Sequence, residues 1–406
     1  MNLHSPLSHP NLEVLEDRWL HKVMVFIQSF HHRPLTFNRA ALLLLFGGIF
    51  ALWQMIAPSV ALAATLVFIT AALLDLLVLW ILPRRGISFG PIAPQLLTML
   101  LPRLAVTALS LLIAVWQPTA ALWTMLILQV FGSAAYLWGL LIEPHRLSLT
   151  SLELSVSDFP ADAPPIRLLH LSDIHLERLT RRENRLLQLI QSARPDLIVI
   201  TGDYLNLSYN NDSKAIAQVR NLLAKIDAPY GVYATLGSPP VDLPEIAAAH
   251  FTDSHIHLLQ GNVMELDLGQ GRALNLIGMD CTHDMAFDGQ MFSALVAQKN
   301  GRGASLLLYH SPEMMPLVQQ HNVDLYLCGH THGGQVRIPG YGALITSAVT
   351  GKRYEMGRYD ENGTTLYVSR GIGLEGSSAP RLRLFCPPEI TLVEIKDEGG
   401  RMKDEG

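Results

Sequence analysis

Hydrophobic and polar positions divide the chain into two parts of different kind. Residues 40–56, 60–82, 93–116 and 119–142 are almost wholly apolar runs. Each is about as long as the ~20 residues that cross a hydrocarbon core, the first slightly shorter. Soluble helices show a polar face and these do not, which argues against a buried bundle in a soluble protein. The first run starts too late for a cleaved signal peptide, and three more follow it. Ahead of them, Leu12, Leu15, Trp19, Val23, Phe26 and Phe30 recur at helical spacing. They predict an amphipathic helix over residues 11–30, lying on a membrane surface or packed on a soluble domain.

From Leu147 onward the pattern changes. IRLLHLSD, DLIVITGD, VYATLG, ALNLIGMD, ASLLLYH and DLYLCGH read as strands, while RRENRLLQLIQSA and SKAIAQVRNLLAKI read as helices. That alternation predicts an α/β domain. TLYVSRG and EITLVEI add late strands, so the sheets should be mixed. The expected layout is an N-terminal segment (1–38), four transmembrane helices (39–145), a linker with a first strand (146–165), the α/β domain (166–396) and a disordered tail (397–406).

Composition narrows the classes. The 406 residues carry a formal net charge of −5 and are 49% hydrophobic. No basic cluster invites nucleic acid. Cys281, Cys328 and Cys386 form no CxxC pair, which suits a reducing, cytoplasmic setting. Arg18, Lys22, Arg33 and Arg39 precede the first run, Arg84 and Arg85 lie between the second and third, and Arg146 follows the fourth. The loops at Pro58 and Pro118 have no Lys or Arg. The positive-inside rule therefore predicts a multi-pass inner-membrane protein with both termini and the α/β domain in the cytoplasm. Asp75 in the second run and Arg103 in the third are expected to pair, since a lone charge at that depth is costly.

The chemistry gathers where predicted strands end. One strand delivers Asp173 and His175, another Asp203, another His310, another His330 and His332. Two Asp and four His form an N/O donor set for borderline or hard divalent metals. The count exceeds the needs of one catalytic ion and suggests a pair ~3.5–4 Å apart, bridged by a carboxylate.

DIH, GD, YH and GHTHGGQ, in that order and spacing, resemble the calcineurin-like metallophosphoesterase superfamily. The tail YVSRGIG…PRL…CPPEITLVEI resembles a bacterial branch containing membrane-associated phosphodiesterases and a UDP-diacylglucosamine hydrolase of lipid A synthesis. The resemblance covers about residues 166–395 and leaves out the four apolar runs. It implies a four-layer sandwich of two mixed sheets flanked by helices, α/β (α+β) in class. It also implies two divalent metal ions, from among Mn, Fe, Zn and Mg. Asp173, His175 and His332 would hold the first ion, Asp203 would bridge, and His310 and His330 would hold the second. Gly333 and Gly334 would let backbone approach the site.

One family motif is altered. Where the family has Gly-Asn-His-Asp or Gly-Asn-His-Glu after the third strand, this chain has Gly237-Ser238-Pro239-Pro240. Ser238 stands at the position of a metal ligand and Pro239 at that of the histidine that meets the phosphate. His283, in MDCTHD, is a candidate substitute, whereas His255 and His257 are expected on a surface strand. The expected function is hydrolysis of a phosphodiester or pyrophosphate, lipid-linked in one version, by a membrane-anchored enzyme whose partners are its substrate and membrane lipids. The alternative is a catalytically impaired relative that binds metal and a phosphorylated ligand as a sensor.

Overall fold

The computed structural model describes residues 19–397 except 158, 161, 253, 300, 301, 375, 377 and 378. The start of the expected amphipathic helix and residues 398–406 of the expected tail lie outside the described residues. The described residues form two compact units: residues 19–142 with 376–382, and residues 143–375 with 383–397.

The first unit is helical. A helix over Trp19–Gln28 is followed by Leu35–Ile56, Ala61–Arg84, Ile92–Ala114 and Pro118–Leu141. The last four are long and apolar enough to cross a membrane. Many of their large apolar side chains, such as Leu44, Met55, Leu112 and Phe131, are exposed. A helix apolar all round and not covered by protein suits a hydrocarbon solvent. Inside, Arg103 makes a two-pronged ion pair with Asp75, at 2.5 and 2.6 Å. The same guanidinium donates to Gln129 Oε1 (2.9 Å) and Ser133 Oγ (3.0 Å), and Gln129 Nε2 returns a bond to the Arg103 carbonyl (3.0 Å). Three helices are thereby joined by one satisfied polar network, as the expected pairing required.

The second unit is a four-layer sandwich. Its strands run β1 (Ser148–Val156), β2 (Ile166–Leu171), β3 (Leu197–Thr201), β4 (Val232–Thr235), β5 (His257–Leu258), β6 (Asn262–Asp267) and β7 (Ala273–Gly278). They continue as β8 (Ala304–Leu308), β9 (Leu325–Cys328), β10 (Arg337–Ile338), β11 (Gly342–Ala343), β12 (Gly357–Glu361), β13 (Thr364–Val368) and β14 (Glu389–Asp397). One six-stranded sheet has the order β1-β14-β2-β3-β4-β5 and the other β12-β13-β9-β8-β7-β6, with β10 and β11 as a separate hairpin. Both are mixed: β14 is antiparallel to β2, β12 to β13 and β6 to β7, while the central strands are parallel.

The period of two along each strand decides the layers. Leu168, Leu197 and Val199 face Leu276, Leu306 and Leu327 of the other sheet. Their neighbours Leu169, Ile198 and Ile200 face outward beneath the helices Arg181–Ala193 and Ser213–Leu223. On the far side Ile277, Leu307 and Tyr326 pack against Phe292 and Met315. Both faces of the central strands are covered, and Asp173, His175, Asp203, His310, His330 and His332 fall just past the strand ends. The parallel central strands β2, β3, β4, β7, β8 and β9 place those ends along one edge of the sandwich.

Candidate metal centre

Each candidate side chain follows the last residue of a parallel strand. β2 runs into Asp173 and His175, β3 into Asp203, β4 into Gly237 and Ser238, β8 into His310, and β9 into His330 and His332. The chain turns sharply there. Of the eleven non-glycine residues with positive φ among those described, six are Asp173, His175, Asp203, His283, His330 and His332. Such conformations cost about 1–3 kcal/mol each and persist where the surroundings over-determine them.

The donor atoms converge. His175 Nε2 lies 3.0 Å from His332 Nε2 and 3.3 Å from Asp203 Oδ2, and His332 Nε2 lies 3.5 Å from Asp173 Oδ1. The same Asp203 oxygen is 3.2 Å from His310 Nε2. Ligand atoms around one ion with bonds of ~2.1 Å sit roughly 3.0–3.4 Å apart, so these separations fit divalent cations. Asp203 Oδ2 thus lies near both His175 and His310, and Asp173 Oδ1 lies near both His332 and His310, the latter at 4.0 Å. His310 Nδ1 lies 2.7 Å from the Thr201 carbonyl and donates to it, which leaves Nε2 with its lone pair toward the centre. His310 Nε2, His330 Nε2 and Asp173 Oδ2 are buried without a hydrogen bond, a costly state that bound cations would relieve. The donor set therefore fits divalent metals.

Residues 166–238 match the model of the calcineurin-like phosphoesterase family. Over 276 residues the chain is 30% identical to the uncharacterized metallophosphoesterase YkuE of Bacillus subtilis, covering 66% of this chain and 90% of that protein. The chain belongs to the calcineurin-like metallophosphoesterase family. It is also 29% identical to phosphodiesterase YaeI of Escherichia coli, over 69% of this chain and 97% of that one. To UDP-2,3-diacylglucosamine pyrophosphatase LpxG of Chlamydia muridarum it is 23% identical, over 64% of this chain and 92% of that one. As a metallophosphoesterase the chain is a hydrolase.

Burial and crowding set the charges in this metallophosphoesterase site. Burial alone would raise the Asp203 carboxyl, yet His310 and His175 hold it well below the usual carboxylate range. His330 is pushed down to about 3 by burial and then by His283 and His310. His332 is lowered by burial, His175 and Arg383. Against its burial, His283 is pushed up to about 10 by Cys281 and Glu313.

Three groups that the sequence did not single out organise the site. Asp242 accepts the backbone N–H groups of Asp203 (2.7 Å), Tyr204 (3.0 Å) and Gly237 (2.8 Å), locking two strand ends together. Burial, with Asp203 close by, raises its carboxyl to about 7. Glu313 takes the Val349 N–H on Oε1 and faces His283 Nδ1 with Oε2 at 3.5 Å. The wholly buried Arg383 donates to the Arg370 and Gly373 carbonyls, both at 2.7 Å. Only Asp242 had a local signal, an Asp five residues beyond Gly237 in a turn rich in proline.

One sequence expectation changes. Gly333 and Gly334 do not serve a close approach to the centre: a Cβ there would strike Cys386 Sγ at 2.7 Å and the Ala343 side chain at 2.5 Å. They allow a left-handed turn packed against those neighbours. His283, the candidate substitute, does lie beside the altered motif, its Nε2 3.2 Å from Ser238 Oγ. His257 lies on the short edge strand β5, exposed and stacked on Tyr233, and His255 bonds to the Ile226 carbonyl.

Proposed function

We infer that this metallophosphoesterase hydrolyses a phosphodiester or pyrophosphate bond of a lipid-linked substrate at the cytoplasmic face of a membrane, using a dinuclear metal centre. The observation that carries the reading is the shared Asp203 oxygen, equidistant to within 0.1 Å from His175 and His310 (3.3 and 3.2 Å). Asp173, His175 and His332 would hold one ion, His310 and His330 the other, and Asp203 both. Bound there, divalent ions supply hydroxide near neutral pH and neutralise phosphoryl charge. The protein's part is to fix the donors. Thr201 keeps the His310 proton on Nδ1, Asp242 holds the Asp203 loop, and burial excludes bulk water.

The lipid-linked part rests on two supports. One relative is named as a pyrophosphatase of a diacylated sugar nucleotide. In addition, the segment after His332 exposes Ile338, Tyr341, Leu344, Ile345 and Val349. That apolar rim is fastened to the site, since the Ser347 hydroxyl donates to the His330 carbonyl (2.7 Å) and the Val349 N–H to Glu313. Contiguous exposed apolar side chains mark interaction surfaces. The four apolar helices of the same chain would hold the domain beside lipid head groups.

The test is metal analysis of the detergent-purified full chain, with turnover of bis-p-nitrophenyl phosphate and of a diacylated sugar nucleotide. Two ions per chain, lost with Asp203→Asn, and turnover of both substrates are expected. Ile345→Asp with Val349→Asp should slow the acylated substrate about tenfold or more and leave the small one unchanged. Equal slowing of both substrates would refute the lipid-binding role of the rim. One ion per chain would refute the dinuclear centre.

A further inference from the structure

We propose that His283 is a ligand of the second metal ion, replacing the amide that the family supplies from the altered motif, and that Glu313 positions its ring. This rests on the dinuclear reading above.

The geometry is local and specific. His283 Nε2 is 3.2 Å from Ser238 Oγ, and Ser238 Oγ is 3.3 Å from His330 Nδ1. The His283 and His330 ring centroids are 4.8 Å apart. The Ser238 N–H donates to Asp203 Oδ1 at 2.8 Å, so this strand end is tied to the bridging carboxylate. His283, Glu313 and His330 present donor atoms that all lie within 4.8 Å of one another. An imidazole arriving from beyond the end of β7 therefore lies against Ser238, the residue at the altered ligand position, and against His330. The prolines play another part: the Pro240 carbonyl accepts from Asn210 Nδ2 at 2.8 Å.

The backbone gives a second, independent sign. His283 has φ 61°, a left-handed conformation that it shares with Asp173, His175, Asp203, His330 and His332 and with five described non-glycine residues elsewhere. A residue without function in a surface turn would readily be Gly or Asn there. The third sign is the carboxylate behind the ring. Glu313 Oε2 faces Nδ1 at 3.5 Å, while its other oxygen is held by the Val349 N–H. Glu313 Oε2 is buried without a hydrogen bond of its own, and a carboxylate that closes on the far nitrogen fixes the tautomer and orientation of a metal-ligating histidine. It would leave the Nε2 lone pair directed toward Ser238 and His330.

The substitution has a chemical consequence. Three imidazoles and a carboxylate favour Zn²⁺, Fe²⁺ or Co²⁺ at the second site over Mg²⁺ or Mn²⁺, whereas an amide oxygen would not.

Co²⁺ titration of the full chain in detergent, followed by visible absorption and elemental analysis, tests this. Wild type should bind two ions. In His283→Ala the first ion should bind with unchanged affinity and the Kd of the second should rise at least ~10-fold. Added imidazole should restore the spectrum of the second ion. His283→Asn, which returns an amide, should keep two ions and shift the second site's preference toward Mn²⁺. Glu313→Gln should give a smaller rise in the same Kd. Two ions bound to His283→Ala with wild-type affinities, while Asp203→Asn loses both, would overturn the role of His283 and leave the dinuclear centre standing. Wild-type binding by Asp203→Asn as well would overturn both. Three ions in wild type, one of them lost with His283, would make the cluster a separate site and overturn the proposal.

Discussion

Gly237 shows how tightly a single position can be constrained. A Cβ built there would lie 2.1 Å from Asp203 Oδ1 and 2.4 Å from the Asp203 backbone nitrogen. The neighbour is backbone held by Asp242, so it cannot step aside as a flexible side chain could. Gly237→Ala should destabilise the domain by about 1–3 kcal/mol through overpacking. It should also displace Asp203 and lower metal affinity. Thermal melting with metal titration checks both; a melt and metal content equal to wild type would contradict the contact. Asp242 acts on the same scale, since one carboxylate satisfies three backbone donors and leaves each oxygen of Asp203 to other partners.

At the scale of elements, the membrane-type helices and the α/β helices are held by different forces. The helices Ala61–Arg84 and Ile92–Ala114 share the buried Asp75–Arg103 pair. Removing one partner of a buried pair leaves an uncompensated charge, at about 3–5 kcal/mol. Asp75→Ala and Arg103→Ala should each destabilise the detergent-solubilised protein. The double variant should lose less than the sum, by at least ~1 kcal/mol. Strict additivity would refute the pairing.

The helix Pro244–Phe251 carries the buried His250, which burial and then Arg220 hold down at about 4. Its folded pKa lies below the unfolded value near 6.5, so the neutral ring is favoured on folding. That contribution is complete above about pH 6.5 and is lost as the pH falls toward 4. It amounts to roughly 3 kcal/mol. His250→Gln should flatten the acid limb of stability between those pH values in denaturant titrations. An acid limb as steep as that of wild type would refute it.

For the molecule as a whole, the proposed topology places residue 406 in the cytoplasm. A reporter fused after Gly406 should be active only if it is of the cytoplasmic kind. Alkaline phosphatase activity at that position would put the phosphoesterase domain on the other side, and with it the substrate. The loops near Pro58 and Pro118 should accept an extracytoplasmic label, and the loop at Arg84 and Arg85 should not.

What the amino-acid order determined by itself is whatever a short window can carry. The four apolar runs were legible because apolar length needs no tertiary partner to be recognised. So were the central strands, from short apolar runs such as DLIVITGD, whose residues 197–200 are all buried. The Asp and His residues stood out because a polar group closing an apolar strand is a local contrast. Only the tertiary structure decided which of them meet. β1 lies beside β14 across 241 positions in register, Ser148 against Glu389, and no local pattern specifies that pairing. His283 reaches Ser238 across 45 positions, and Glu313 comes from a third strand end. The physical reason is that a short apolar run tells a strand that it is buried, whereas the distance between strand ends follows from strand order and from the packing of two sheets. Those depend on the summed burial of the whole core, so Ser238-Pro239 looked like a missing group until the fold brought His283 to it.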